Sequence, residues 1–459
     1  MVKTKRSAKN RYLQHEEARS LTPTADVVTH TGAVTGFIGH QPDGHIGDFF
    51  GLADAAHGRN LLDQLFDFGE PKLVSRKDIG FDDAGTHAVD PDTFTTDLLG
   101  QADIEIDGDR AWDIQIHDDA FYKRALAGGS LALGESYMDD WWTCKSLDQF
   151  FDHLLRAGLS QKVVPLSAKI FVARSKLMNL QSKIGSRAVI DTHYQLSPAL
   201  FMSFLDPYNQ YTCGYFKGTH ELNQAQENKL DLICRKLQLR EGDKVLDIGC
   251  GWGGFAKFAA ERYGAHVTGM TISDKQLAYA QDLCSGLPVN FVKSDYRDFT
   301  GTDFDKVLVC GMIEHVGYKN YRNLFEVAHR SLKDGGLFLL HTIGRHRSGS
   351  NTDAWMHKYI FPNAMMPAPK QLTTAAEQLF ALNDWHSFGT YYDNTLMAWN
   401  KNFVDNWSDL SEEYDDRFFR MWTYYLQMCA GTFRSNKKQL WQIVFAKRRG
   451  AVAGYESVR

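Results

Sequence analysis

The sequence predicts a Rossmann-like α/β fold, a parallel sheet with helices on both faces, preceded by a small N-terminal α+β module. Two observations carry the sheet. The stretch Val245-Leu246-Asp247-Ile248-Gly249-Cys250-Gly251-Trp252-Gly253-Gly254 reads as a buried strand entering a glycine-rich turn, with a helix from Gly253 to Arg262. Strand-like segments near 245–249, 266–270, 289–293, 305–310 and 336–342 then alternate with amphipathic helical ones, the signature of a doubly wound sheet. A third observation, the change of pattern before residue 186, marks off the module.

Residues 1–95 are rich in Gly, Asp, His and Thr and lack sustained periodicity apart from a short helix near Asn60 to Phe68, so they read as a partly disordered extension. Residues 96–185 form the module. In it Ala102 to Ile106 and Ala111 to Ile116 alternate like a hairpin around Asp107-Gly108-Asp109, and helices follow near Asp119 to Ala127 and Leu147 to Ala157. Trp141 and Trp142 lie between these helices and read as core in preference to a lipid-facing surface. A polar, basic linker runs from about Ala168 to Arg187, and residues 186–459 make up the sheet domain. Near its end, helices around Thr395 to Trp407 and Glu412 to Cys429 precede a final strand, Leu440 to Ala446, expected to join the sheet edge antiparallel.

With 459 residues, 43% of them hydrophobic, the chain suffices for two or three domains and a substantial core. No apolar run approaches the roughly 18 residues of a membrane span, and the basic start (Lys3, Lys5, Arg6, Lys9, Arg11) has no apolar segment behind it, which argues against export. Seven cysteines without a C-x-x-C pair point away from a disulfide framework or a zinc site, and toward a reducing cytoplasm. A net charge of −5 gives the whole protein no drive toward nucleic acid.

The glycine spacing, G-x-G-x-G-G, differs from the dinucleotide fingerprint. The next strand runs out at Gly269-Met270-Thr271-Ile272-Ser273 without the acid that holds a nicotinamide or flavin ribose, and Asp274 already belongs to the following helix. S-adenosylmethionine has no pyrophosphate to cradle. A class I methyltransferase sheet can seat its amino-acid half against Asp247 and the amides of Gly249, Gly251 and Gly253, with Thr271 and Gln276 on the ribose. Ligands bind outside the carboxyl ends of such strands, which brings Glu314 and His341, each at a strand end, to one crevice beside that cofactor. Either residue alone would read as a structural hydrogen-bonding group; adjacent strand ends favour catalysis. Cys213, among aromatics, reads as a small buried hydrophobe more readily than as a reactive thiol.

Five segments occur in order: Tyr208-Asn209-Gln210-Tyr211-Thr212-Cys213, Gly249-Cys250-Gly251-Trp252-Gly253, Gly311-Met312-Ile313-Glu314-His315-Val316-Gly317, Leu340-His341-Thr342-Ile343-Gly344 and Tyr391-Tyr392-Asp393-Asn394-Thr395-Leu396. On these the chain, from about Gly100 onward, closely resembles the cyclopropane-fatty-acyl-phospholipid synthases. The resemblance implies a cofactor site formed by Tyr211, Thr212, Gly249, Gly251, Thr271, Ile272, Gln276, Tyr296 and Arg297. It also implies a bicarbonate ion held by Cys213, Glu314, His341, Tyr392 and the backbone of Ile343, and marks Cys429 as an active-site cysteine that spacing alone places in a buried helix, below Cys213 in rank.

The implied reaction adds the cofactor's methyl group to a cis double bond of an unsaturated phospholipid, then removes a proton to close a three-membered ring. Such chemistry needs a dry, aromatic-lined pocket, for which Tyr211, Tyr215, Phe216, Tyr391 and Tyr392 are the candidates. The module would dock transiently on the membrane and dimerise, making a cytoplasmic, peripherally associated homodimer. The competing readings are a relative that forms methyl or methylene branches or methylates a small-molecule amine, and a lipid-binding or regulatory protein that uses the sheet only as a scaffold.

Overall fold

The computed structural model describes residues 90–159, 196–349, 352–447 and 454–459, all within one unit, Phe68–Arg459. The helix expected near Asn60 to Phe68 and the linker near Ala168 to Arg187 lie outside the described residues. The first described element, α1 (Pro91–Gly100), crosses residue 95 and starts on a proline, whose fixed φ suits a first helical turn. The hairpin expected after it does not form: β1 (Ile114–Ile116) pairs antiparallel with β2 (Trp142–Cys144). The loop before β1 is closed instead by the buried carboxylate of Asp113, which accepts from the Glu105 and Arg110 main-chain N–H groups at 2.8 and 2.9 Å and from the Arg110 guanidinium.

Between these strands lies α2 (Ala120–Met138), longer than the pattern suggests. The glycine pair at 128–129 ends the apolar periodicity, but the helix resumes beyond a kink at Gly129, where φ is 58°. Trp142 is fully buried, as expected of a core residue, while Trp141 is partly buried under the Arg124 guanidinium, 4.3 Å from its ring centre. Next comes α3 (Leu147–Arg156), whose Phe150 and Phe151 face inward.

After α4 (Pro198–Phe204) and α5 (Leu222–Lys236) comes the sheet. Strands β3 (Lys244–Ile248), β4 (His266–Thr271), β5 (Val289–Lys293), β6 (Phe304–Cys310) and β7 (Leu332–Gly344) are parallel, in the order β5-β4-β3-β6-β7. Their connections carry α6 (Gly254–Tyr263), α7 (Asp274–Leu283) and α8 (Tyr321–Ser331), the right arrangement for a sheet buried on both faces. Past β7 come α9 (Ala354–Tyr359), α10 (Pro369–Ala376), β8 (Phe380–Ser387), α11 (Thr390–Asp405), α12 (Asp416–Arg434) and β9 (Gln439–Lys447).

The last strand is antiparallel to β7, as expected, but it is not the edge. It inserts between β7 and β8, and β8, which the sequence pattern did not reveal, takes the edge position. Asn383 and Asp384 interrupt the alternation of β8. Asp384 stays buried because Lys236 and Arg459 pair with it at 3.2 and 2.7 Å.

Helix α12 packs along α3, α2 and α11, so the module and the sheet domain share one aromatic core containing Trp142, Phe150, Trp399, Trp422 and Tyr424. At its end Arg434 joins three elements. Its guanidinium reaches Asp148 of α3 at 2.5 Å and Asp393 of α11 at 2.8 and 2.9 Å, and its carbonyl accepts from Arg156. Arg434→Met leaves the buried Asp148 carboxylate with the Ser146 hydroxyl but without its cation, and is expected to lower stability by roughly 2 kcal/mol in urea unfolding. Loss of under about 0.5 kcal/mol, the range of an ordinary surface substitution, would show that the joint rests on apolar packing alone.

Candidate active site

The turn after β3 is built by backbone conformations that side chains disfavour. Gly249, Gly251 and Gly253 have φ of 86°, 53° and 86°. Gly253 is the left-handed cap of α6, and Gly254, the first residue of that helix, packs so closely that a Cβ would lie 1.7 Å from the Tyr208 carbonyl oxygen. That approach lays segment 208–213 across the turn. Between them lies a cavity of about 190 Å³, lined by Tyr211, Thr212, Asp247, Gly249, Gly251, Thr271, Ile272, Gln276, Tyr296 and Arg297. Gly253 is not in the lining; it acts as the cap, packed on Ala280.

Each wall has its own chemistry. Asp247, next to last in β3, has 2% exposure and one carboxylate oxygen, Oδ1, without a partner among the described residues; burial pushes its pKa up to about 7. The Thr271 hydroxyl donates to Gln276 Oε1 at 3.0 Å, and Ser273 caps α7. Ile272, 38% exposed, offers a flat apolar surface, and the Tyr296 hydroxyl is buried without a partner among the described residues. Arg297 is clamped by Asp295 at 2.8 and 2.7 Å. Trp252, a member of the turn motif, and Asp295, which no motif signalled, also line the cavity. Below the cavity is a group absent from the sequence reading: Lys229 of α5, fully buried, donating to Thr212 Oγ1 at 2.9 Å and to Gln210 Oε1. The open glycine backbone, the unpartnered carboxylate and the exposed Ile272 fit a cofactor with an ammonium at one end and an aromatic base at the other.

A second cavity, of about 800 Å³, shares Tyr211, Thr212, Gly311 and His315 with the first. Glu314, His341, Ile343, Tyr392 and Cys429 all line it. Glu314 Oε1 accepts from the Ile343 N–H at 2.7 Å and from the Thr342 hydroxyl at 2.8 Å, while Oε2 is buried with no partner among the described residues. Burial raises its pKa against those bonds. The Ile343 N–H is thus committed to orienting the carboxylate. His341 is 1% exposed, and Gln442 Nε2 meets its Nδ1 at 3.3 Å; with the amide as donor, Nε2 carries the ring proton and is otherwise unpartnered among the described residues. Burial, with Lys229 and Lys236 adding like charge, holds His341 neutral.

Cys213 is fully buried and does not line the cavity; its Sγ accepts from the Thr395 hydroxyl at 3.8 Å. Cys429 on α12 does line it, with its thiol pushed up to about 12 by burial. Of the expected aromatics, Tyr211 and Tyr392 reach the cavity, whereas Tyr215, Phe216 and Tyr391 pack on one another. Their place is taken by Phe361, Tyr424, Tyr425 and Phe433, and by Phe121, Phe150 and Phe151 of the module.

This fold and site define a class I S-adenosylmethionine-dependent methyltransferase. Residues 181–443 match the model of the mycolic acid cyclopropane synthetase family. The chain is 48% identical over 353 residues to the cyclopropane-fatty-acyl-phospholipid synthase of Escherichia coli, covering 76% of this chain and 92% of that one. Among solved structures it is similar to the cyclopropane synthase MmaA2 of Mycobacterium tuberculosis (28% identity, TM-score 0.53, covering 57% of this chain and 98% of that one). It is also similar to the mycolic acid cyclopropane synthase CmaA1 complexed with SAH and CTAB (28% identity, TM-score 0.54, covering 59% and 100%). The chain belongs to the mycolic acid cyclopropane synthetase family.

Asp247 makes stability depend on pH. Its folded pKa of about 7 lies above the ordinary 3.8, so the folded form holds a proton that the unfolded form has released. Stability of the cofactor-free protein from this group should fall as pH rises from about 4 to about 7 and then level off. Asp247→Asn should flatten that limb in urea titrations across this range; an unchanged slope would remove Asp247 as its source.

Proposed function

We propose that this protein is a cyclopropane-fatty-acyl-phospholipid synthase, alkylating a cis double bond in a phospholipid acyl chain and closing the ring. The observation that carries the reading is the large cavity. Its walls come from α1, α2 and α3 of the module and from α11, α12 and the ends of β6 and β7, and it meets the cofactor cavity at Tyr211 and Thr212. An acyl chain leaving the bilayer loses about 0.8 kcal/mol per methylene, and the leucines and phenylalanines of these walls replace that environment. A small-molecule amine needs no such volume.

S-adenosylmethionine, held by the glycine turn, Asp247, Thr271 and Gln276, supplies an electrophilic methyl group. Tyr211 and Thr212, in both cavity walls, are placed to set the alkene against it. Alignment within about 3 to 3.5 Å is the main source of acceleration for so weak a nucleophile. The lipid cation that follows is protected from water by burial, and Tyr392, Tyr424, Tyr425 and Phe361 can stabilise it by about 0.5–2 kcal/mol per well-placed ring.

The last step takes a proton. Cys429 is a neutral thiol at pH 7 and a poor base, and Cys213 is outside the cavity. The unpartnered Glu314 Oε2 and His341 Nε2, an acceptor and a donor on one wall, fit a small oxyacid such as bicarbonate, which would supply the base. Glu314 is positioned for this by Ile343 and Thr342, and His341 by Gln442.

Transient membrane contact and homodimerisation we assign to the module, and the protein to the cytoplasm. The seven free thiols support a reducing compartment, and no helix among the described residues is long and apolar enough to cross a membrane.

Incubation with oleoyl phospholipid vesicles and labelled S-adenosylmethionine should transfer label to lipid, with cyclopropane ring protons in the NMR spectrum; methylene or methyl-branch signals would overturn ring closure. Glu314→Gln should retain cofactor affinity by calorimetry and slow turnover at least about tenfold. Normal turnover in that variant would remove Glu314 from the mechanism, and activity indifferent to rigorous bicarbonate removal would point to a side-chain base.

A further inference from the structure

The large cavity is apolar along most of its length but cationic at one end. Arg345, Lys437 and Lys438 all line it. Their placement follows from the sheet. The ladder between β7 and β9 ends at the pair Gly344 and Gln439, so Arg345 and Lys438 are the next residues on the two strands and flank the same end. Lys437 is exposed and the other two are half-buried, which puts this end at the solvent. His341 lies four residues inward along β7, about 13 Å at strand rise. Glu314 is on the same inner wall.

The two lysines bring charge to this end that no carboxylate among the described residues pairs with. Among the described residues neither Lys437 nor Lys438 forms an ion pair or a side-chain hydrogen bond. The one carboxylate among the described residues in this part of the lining, Asp353, is occupied as the cap of α9. It accepts from the Trp355 and Met356 N–H groups at 3.0 and 3.1 Å and from the Ser130 hydroxyl at 2.5 Å. Burial and the like charge of Arg345 push Lys438 down to about 8, as expected of a cation lacking an anion.

We propose that Arg345, Lys437 and Lys438 bind the phosphodiester of the phospholipid headgroup at the open end of the cavity while the acyl chain runs inward to His341. This inference rests on the lipid-alkylating reading above. Charge-assisted bonds from a guanidinium and two ammonium groups suit a phosphate oxyanion. The distance to His341 leaves the glycerol ester at the mouth and a mid-chain double bond at the reacting end. The enzyme would thereby measure double-bond position from the headgroup.

The test uses the full-length protein with dioleoylphosphatidylglycerol or dioleoylglycerol, which lacks the phosphate, in mixed micelles of a neutral detergent. The readouts are S-adenosylhomocysteine release and lipid mass. The wild type should favour the phospholipid. Lys438→Met and Arg345→Met should each raise its KM roughly tenfold with little change in kcat, and leave kinetics on dioleoylglycerol unchanged. Lys438→Arg should restore the KM, and the exposed Lys437→Gln, which carries little folding risk, should shift it in the same direction. An unaltered KM for the phospholipid in all three charge-removing variants, equal loss on both lipids, or a wild type that treats the two lipids alike would overturn the site, the last being also what a site for free phosphate would give. A wild type that alkylates neither lipid would overturn the lipid-alkylating reading itself.

Discussion

Water must be kept from the carboxyl ends of β3, β6 and β7 while charged and polar side chains remain there, and the rest of the structure answers to that constraint. Asp247, Glu314, His341 and Lys229 are all at or below 6% exposure. Taking such groups from water costs several kcal/mol each unless hydrogen bonds or shifted protonation compensate, and both are present. Glu314 is held by Ile343 and Thr342, Lys229 by Gln210 and Thr212, and His341 stays neutral. The aromatic mass of α11 and α12 packs in the same buried cluster as Tyr392 of the site and Trp252 of the cofactor turn.

The same constraint explains why the module is not an appendage. A sheet domain alone would leave the large cavity open along α12. Phe121, Phe150, Phe151 and the leucines of α1 and α3 form the missing wall. Arg434 ties that wall to α11 through Asp148 and Asp393, a polar clamp at the rim of an otherwise apolar contact.

Much of the sheet was legible in the sequence because its signals are local. An apolar strand, three left-handed glycines and a helix within twenty residues specify the turn at 249–253, and the same alternation repeats through β7. What was not legible depends on distant partners. β8 keeps Asp384 in its middle only because Lys236 and Arg459 reach it. β1 finds its partner at Trp142–Cys144, across a whole helix, because Asp113 closes the nearer loop with its side chain. At the site, strand-end residues such as Glu314 and His341 could be placed by the rule for open α/β sheets. The burial of Cys213 against Thr395, and the choice of Tyr424 and Phe433 over Tyr215 and Phe216 as cavity wall, depend on how α11 and α12 pack against distant segments, which no local pattern records.

The kink at Gly129 turns two halves of α2 toward the cavity at different angles, with Leu126 before it and Leu131 and Leu133 after it in the lining. Bulk added or removed on that helix alters the room for a tail without disturbing any strand end. Tolerance for longer, shorter or bent hydrocarbon tails can therefore drift over evolutionary time in one segment of the chain while the methyl-donating machinery stays constant.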